Sequence, residues 1–131
     1  MVTGTTGTRA GESLYAQLGG APAIGAAVDQ LVRRVLADRE LVSFFLGVDM
    51  GIQRRKLEQF LTTALGGPAI YRGPSMRKAH ENLRIESRHF DLMAGHLKAT
   101  LEALGVPAGL VAQTIAAVAP FKNEVVSAPR A

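Results

Sequence analysis

Apolar residues recur at helical spacing through most of the chain, and this periodicity predicts its elements. In the segment 22–37 the apolar positions are separated by three or four residues, which is typical of an amphipathic helix. These positions are Ile24, Val28, Leu31, Val32 and Val35. The segment 49–65 predicts a second helix with one face directed inward. That face comprises Gln53, Leu57, Phe60 and Leu61.

Four residues stand where a side-chain oxygen can accept a backbone N–H group at the start of a helix. Ser13, Asp49, Ser75 and Ser87 each precede a helical pattern. We therefore expect helices to follow them, ending near residues 17, 65, 80 and 104 respectively. The segment 38–48 between two of these helices predicts a turn and a short apolar stretch.

Glycine and proline mark the ends of the same elements. Double glycines at 19–20 and 66–67 and the single Gly105 predict helix ends, because glycine adopts the backbone conformation that terminates a helix. Pro22 and Pro107 suit first turns, where the missing N–H group needs no partner. Pro120 predicts a kink in a last helix that reaches about residue 126.

The organisation predicted from these patterns is one all-α domain of five or six helices without a strand. The domain spans residues 12–127 and has an irregular middle between 38 and 75. Residues 1–11 are rich in glycine and threonine and predict a flexible N-terminal tail, and residues 128–131 a short C-terminal tail. No repeat of solenoid period occurs.

Composition excludes several classes of protein. The 131 residues include no cysteine, which excludes disulfides, thiolate zinc sites and a cysteine nucleophile. No apolar run approaches the roughly 18 residues of a membrane helix, and residues 1–11 lack a signal core. We expect a small soluble, cytoplasmic domain with no membrane partner. Neither a nucleophile elbow nor a phosphate-binding glycine loop is present.

The net charge of +4 is compatible with an anionic partner. Eleven of the fifteen Lys and Arg residues lie between Arg33 and Arg88. Aromatic residues are only 5% of the chain and widely spaced, which disfavours base stacking, so we expect no nucleic-acid partner. Two interpretations remain open: a solvated helix face, or a small anionic ligand held by a few cations.

The three histidines are the candidate metal ligands. His89 and His96 lie two turns apart on one predicted helix, about 10.5 Å, so they cannot share one metal whose bonds are about 2 Å long. Both are interpreted as surface or capping residues. His80 follows Met76 by one helical turn, after a loop that contains Tyr71. The local pattern alone leaves His80 open as a ligand or a structural residue.

Several motifs in order resemble the truncated haemoglobins, and among them the group 1 (N-type) globins. The motifs span residues 13 to about 126 and their order and spacing carry the resemblance. They are SLYAQLGG (13–20), VLAD (35–38), SFF (43–45), FLTTALGGP (60–68), Met76-x-x-x-His80, HFDLMAGHL (89–97) and ALGVP (103–107). The resemblance implies a two-over-two helical sandwich around haem b.

The resemblance also implies roles for individual residues. His80 would be the proximal ligand of the haem iron, with Met76 packed on the same side. Phe45 would stack on the porphyrin, whereas Phe44 would belong to the core. Expected haem contacts on the third helix and in the following loop are Leu57, Phe60, Leu61, Gln53 and Tyr71. The cations Lys56, Arg72 and Arg77 are expected near the anionic propionates.

The implied function is reversible binding of oxygen, carbon monoxide and nitric oxide. Nitric oxide dioxygenase or peroxidase-like activity is compatible with the resemblance and would need a reductase partner. The alternative is a haem-based sensor or a haem-trafficking protein without turnover. We expect a monomer or a weak homodimer.

The distal side departs from the family pattern. Group 1 members commonly carry a tyrosine at the position of Val32 and a glutamine at the position of Leu57, and both residues are apolar here. Gln53 is the polar residue expected to face the pocket from that helix. Lys56 lies three residues later and is a second candidate for the distal site.

Overall fold

The computed structural model describes residues 12–68 and 75–127, and every regular element in this part is helical. The α-helices are α1 (Leu14–Leu18), α2 (Gly20–Leu36), α3 (Met50–Ala64), α4 (Met76–His80), α5 (Ser87–Ala103), α6 (Ala108–Val118) and α7 (Lys122–Val125). Two 3₁₀ turns lie at Val42–Phe45 and Ala119–Phe121. The all-α prediction is confirmed. The two predicted tails, Tyr71 and Arg72 lie outside the described residues.

Three of the four predicted N-terminal caps are confirmed. The Ser13 hydroxyl accepts the Ala16 N–H at 3.1 Å, and the Ser75 hydroxyl accepts the Lys78 N–H at the same distance. Asp49 caps α3, where its carboxylate accepts the first N–H groups of that helix. Each cap satisfies backbone donors that have no partner within the helix.

The prediction that Ser87 caps α5 was wrong. Ser87 is the first residue of the helix, and Glu86 holds the cap position. In the predicted cap a residue before the helix would accept an N–H group of the first turn. Here a side chain within the first turn is the acceptor, since the Glu86 N–H donates to Nδ1 of His89 at 2.9 Å. His89 is therefore a capping histidine, and it is also buried, with 8% of its surface exposed.

Helices α2 and α5 make most of the contacts between the long helices. Helix α2 contacts α3 and α5, and α5 in turn contacts α6, which agrees with the expected two-over-two sandwich. The most deeply buried aliphatic residue is Val28, at the centre of α2. Within the described ranges no helix has the length and apolar character that crossing a membrane requires.

The second double glycine allows α1 to cross the end of α3. Gly66 has φ +82°, a conformation that glycine adopts without steric cost. A Cβ atom on Gly67 would lie 2.7 Å from side-chain atoms of Tyr15 and Thr62, so only glycine fits there without displacement. This close approach accompanies a hydrogen bond from the Tyr15 N–H to the Leu65 carbonyl at 3.0 Å.

The last predicted helix is divided rather than kinked. Helix α6 ends at Val118, and the 3₁₀ turn that contains Pro120 separates it from α7. Proline lacks the N–H group that would continue the ladder, so the interruption occurs where it was expected.

A half-buried hydrogen-bonded pair connects α5 to the turn that follows α2. Nε2 of His96 lies 2.7 Å from one carboxylate oxygen of Asp38, and the other oxygen accepts the Glu40 N–H at 2.8 Å. Asp38 is only 14% exposed. The pair secures the turn that carries Phe44 and Phe45, so His96 has a tethering role that its sequence pattern did not reveal.

Replacing Asp38 with alanine is expected to lower the free energy of unfolding by about 1–3 kcal/mol, because two partners lose a shielded acceptor. The matched control is Asp91→Ala, which removes an ion pair between Asp91 and Lys122. The Asp91 side chain is 62% exposed. Exposed pairs contribute about 0–1 kcal/mol. Urea unfolding followed by circular dichroism measures both, and equal losses would contradict the tethering role of Asp38.

Candidate functional site

A cavity of about 350 Å³ lies inside the helical sandwich. Its volume falls within the range of about 300–1,000 Å³ that small-molecule sites occupy. The wall is mostly apolar and draws on most of the described elements. It comprises Leu31, Leu41, Phe44, Phe45, Val48, Gln53, Lys56, Leu57, Phe60, Leu61, Ala79, His80, Leu83, Ile85, His89, Phe90, Met93, Ala94, Leu97, Val118, Phe121 and Val125.

Four side chains on this wall are polar. Helix α3 contributes Gln53, which is half-buried, and Lys56, which is exposed. His80 is half-buried at the end of α4, and His89 is buried at the start of α5. A pocket that is apolar apart from a few placed polar groups is typical of a cofactor site.

The two histidines have different surroundings. Nδ1 of His89 is occupied by the Glu86 N–H, and its ring meets Phe44 edge to face with centroids 4.9 Å apart. These contacts commit His89 to the first turn of α5. His80 is the last residue of a five-residue helix that Ser75 caps, and it lines the cavity.

The first 3₁₀ turn places an aromatic pair on the wall. Phe44 and Phe45 are partly buried against the core, and both line the cavity. Phe44 therefore packs against the core and lines the cavity as well. The Asp38–His96 pair holds the start of this segment, as described above.

The structure brings most of the predicted site residues together. Those on the wall are Phe45, Gln53, Lys56, Leu57, Phe60, Leu61 and His80. Val32 and Leu31 both lie in the hydrophobic core at 3% exposure, and of the two Leu31 lines the cavity. Arg77 is exposed on α4 and is not part of the wall. Met76 begins α4, but its side chain lies outside the described residues, as do Tyr71 and Arg72.

Sequence reasoning did not assign the part of the wall that α5 provides. Phe90, Met93, Ala94 and Leu97 lie at intervals of three and four residues and therefore share one face of α5. That spacing was visible in the sequence, but the same spacing is typical of an ordinary core face. Phe121 and Val125 complete the wall from beyond Pro120, and they are one helical turn apart.

The residues present fit a flat, largely apolar cofactor. Protein interiors are close packed, so an apolar cavity of this size at the centre of a core indicates room for a bound group. Aromatic and aliphatic side chains can cover the faces of a porphyrin plate, and His80 offers an imidazole to a metal within it. Lys56 is the exposed cation of the wall and suits an anionic edge group.

Comparison with known families matches residues 13–127 to the bacterial-like globins. The chain is 44% identical over 120 residues to group 1 truncated haemoglobin LI410 of Chlamydomonas moewusii, covering 90% of this chain and 70% of that protein. It is 46% identical over 111 residues to group 1 truncated haemoglobin GlbN of a Synechocystis species, covering 82% and 89% respectively.

Solved structures agree with the sequence relatives. The Fe(III) form of truncated haemoglobin from Tetrahymena pyriformis superposes with a TM-score of 0.85 at 34% identity, covering 88% of this chain and 98% of that one. A 2/2 haemoglobin from a Synechococcus species superposes with a TM-score of 0.82 at 37% identity, covering the same shares. The motif order, the helical sandwich and its apolar cavity thus have a common explanation: this chain belongs to the group 1 truncated haemoglobins, a family of globins that bind haem and diatomic gases.

Proposed function

We propose that this globin binds oxygen, carbon monoxide and nitric oxide reversibly, with His80 as the protein ligand of the haem iron. The observation that carries the proposal is the position of His80 at the end of α4, on the wall of the apolar cavity. Haem supplies an iron centre with an open position for a gas when one histidine binds it. His89 is less suited to that role because its ring is committed to the first turn of α5.

The chain offers few hydrogen-bond donors to a bound gas. Helix α2 contributes only Leu31 to the wall, and Leu57 occupies α3 at the level where relatives often carry glutamine. The amide of Gln53 remains as a neutral donor on α3. Bound oxygen carries partial negative charge, so a pocket with a single amide donor holds oxygen weakly. Bound carbon monoxide is less polar, so its affinity depends less on a hydrogen-bond donor in the pocket.

Lys56 has two candidate roles. Its amine would serve as an internal ligand of the iron in the absence of gas, or it would pair with a haem propionate. The exposure of Lys56 favours the propionate, because a metal-bound amine must be deprotonated and desolvated. We assign Arg72 and Arg77 to the same anionic edge as further candidates.

The ferric spectrum distinguishes the two roles of Lys56. If Lys56 pairs with a propionate, its amine does not bind the ferric iron anywhere between about pH 6 and about pH 10. The variant Lys56→Ala should then give the same spin state as the wild type. A low-spin species that grows with pH and disappears in Lys56→Ala would instead assign the amine to the iron.

Nitric oxide dioxygenation is a secondary activity in this proposal. Nitric oxide, oxygen and one electron give nitrate, so turnover requires a reductase that returns the iron to the ferrous state. The apolar wall at Leu31 and Leu57 stabilises oxygen poorly and therefore favours simple gas binding over a dedicated dioxygenase.

We further propose a cytoplasmic protein that acts as a monomer or a weak homodimer.

Absorption spectra of the ferric, ferrous and carbonmonoxy forms test the proposed function. We expect one haem per chain, a ferrous form with an open position, and full recovery of that form after carbon monoxide is removed. Flash photolysis should give a single bimolecular recombination phase. A ferrous form that binds neither carbon monoxide nor oxygen would refute gas binding as the function of this site.

A further inference from the structure

Helix α4 depends on other parts of the chain for its position. It has only five residues, and a helix that short is not stable on its own in water. Its main packing partner among the described elements is α7, which lies more than forty residues further along the chain. The orientation of His80 therefore depends on how the C-terminal residues are held.

Two hydrogen bonds fasten the C-terminal end to the segment after α4. The Ile85 N–H donates to the hydroxyl of Ser127 at 3.0 Å, and the Ser127 N–H donates to the Ile85 carbonyl at 2.8 Å. We call this reciprocal pair the Ile85–Ser127 clasp. Ile85 is buried and lines the cavity, so the clasp lies at the cavity wall.

The backbone between His80 and the clasp is held in a conformation that side chains disfavour. Arg84 has φ +55°, which is unusual for any residue other than glycine and persists only when its surroundings enforce it. On one side the Leu83 N–H donates to the His80 carbonyl at 3.1 Å, and on the other side lies the clasp. The two connections fix the path from His80 to Ile85.

The rest of the C-terminal segment is anchored independently. Phe121 meets Phe60 of α3 edge to face with ring centroids 5.0 Å apart. Lys122 pairs with Asp91 of α5 at 2.8 Å. Residues 119–127 thus run from α3 and α5 to the segment after α4, and Phe121 forms cavity wall on the way. The clasp therefore ties the segment that follows α4 to a C-terminal segment that is itself held on α3 and α5.

We propose that Ser127 is a positioning residue for the proximal histidine. Through the Ile85–Ser127 clasp it sets the tilt of α4 and hence the orientation of the His80 imidazole toward the haem iron. This inference rests on the proposed ligation of iron by His80. It gives the hydroxyl of Ser127 a function in haem retention and in the strength of the iron–histidine bond.

The test compares Ser127→Ala with Ser127→Thr in the haem-loaded protein. Alanine removes the acceptor for the Ile85 N–H, whereas threonine retains a hydroxyl. We expect Ser127→Ala to shift the iron–histidine stretching band in the resonance Raman spectrum of the ferrous form. Haemin loss to an acceptor protein should become about two- to tenfold faster, the effect of one net hydrogen bond. Ser127→Thr should keep the band position and the rate of haemin loss at their wild-type values.

Amide hydrogen exchange in the wild type provides a measurement that needs no variant. The amides of Ile85 and Ser127 should exchange slowly, and the amide of Arg84 faster. Rapid exchange at Ile85 in the wild type would overturn the clasp, even if Ser127→Ala did not fold. If Ser127→Ala leaves both the Raman band and the rate of haemin loss unchanged, the positioning role is overturned. The same holds if Ser127→Thr behaves like Ser127→Ala. Failure of the proposed function is distinguishable, because the wild-type iron–histidine band would then be absent or would persist in His80→Gly.

Discussion

Replacing Leu57 with glutamine is expected to slow oxygen dissociation by about 10- to 150-fold. Leu57 lines the cavity from α3, one helical turn after Gln53, so an amide at this position would face the same space. A hydrogen bond to a charged acceptor contributes roughly 1.5–3 kcal/mol, which corresponds to that range of rates. Stopped-flow mixing of the oxygenated protein with carbon monoxide measures the dissociation rate directly.

Leu57→Met is the matched control for this change. Methionine has similar volume and remains apolar, so it should leave the oxygen dissociation rate within a few-fold of the wild type. Carbon monoxide dissociation should change little in either variant, and the ratio of oxygen to carbon monoxide affinity should therefore rise only with glutamine. Equal rates in the glutamine and methionine variants would contradict the account of the distal wall.

In the wild type Gln53 is the residue expected to donate a hydrogen bond to bound oxygen. If its amide is the main donor to bound oxygen, Gln53→Leu should accelerate oxygen dissociation further, by roughly the effect of one such bond. A slow wild-type rate that Gln53→Leu leaves unchanged would show that oxygen is stabilised by another group. Lys56 would then be the next residue to examine, since it shares the wall.

Removing the imidazole of His80 is expected to have the second large effect. In His80→Gly we expect haemin to dissociate at least about 100-fold faster than in the wild type, because even outer-shell partners of a metal ligand change affinity by about 10- to 100-fold. Transfer of haemin to an excess of acceptor protein measures this rate. The apolar wall remains intact in the variant, so residual weak binding is expected.

His89→Ala is the internal control for His80→Gly. His89 also lines the cavity, but its Nδ1 accepts the Glu86 N–H and its ring packs on Phe44. Its removal should lower stability through the lost cap and leave haemin loss less affected than the His80 variant. Faster haemin loss from His89→Ala than from His80→Gly would reverse the assignment of the two histidines.

Local features of the fold could be predicted because local chemistry determines them. Ser13, Asp49 and Ser75 are caps whose acceptors lie within three residues of the donors they satisfy, so the sequence neighbourhood holds all the information. The cap of α5 was missed for a related reason. At that end a ring nitrogen of His89 accepts the N–H of Glu86, and a rule that looks for a side-chain oxygen before the helix does not consider that geometry.

Long-range contacts could not be predicted from residue patterns. Asp38 and His96 are 58 positions apart, and Ile85 and Ser127 are 42 apart. Nothing in the spacing of either pair indicates that the two residues meet, because the helix packing brings them together. His96 was for this reason interpreted as a surface or capping residue, although it holds the turn before Phe44.

The candidate site was predictable from α3 and α4 but not from α5. Gln53 and Leu57 were placed on the inward face of α3 by their helical spacing, Lys56 was assigned by its charge, and all three line the cavity. The stripe on α5 that includes Met93 has the spacing of any buried helical face, so the sequence does not distinguish core from cofactor wall. The neighbours Leu31 and Val32 are equally buried, and the sequence pattern did not indicate that Leu31 is the one that lines the cavity.

Resonance Raman spectroscopy of the ferrous, gas-free protein tests ligation by His80 most directly. The account predicts one iron–histidine stretching band that is present in the wild type and in His89→Ala. The band should be absent in His80→Gly and should return when free imidazole fills the space left by the side chain. A band that persists in His80→Gly without imidazole, or that disappears in His89→Ala, would contradict the assignment of His80 as the iron ligand.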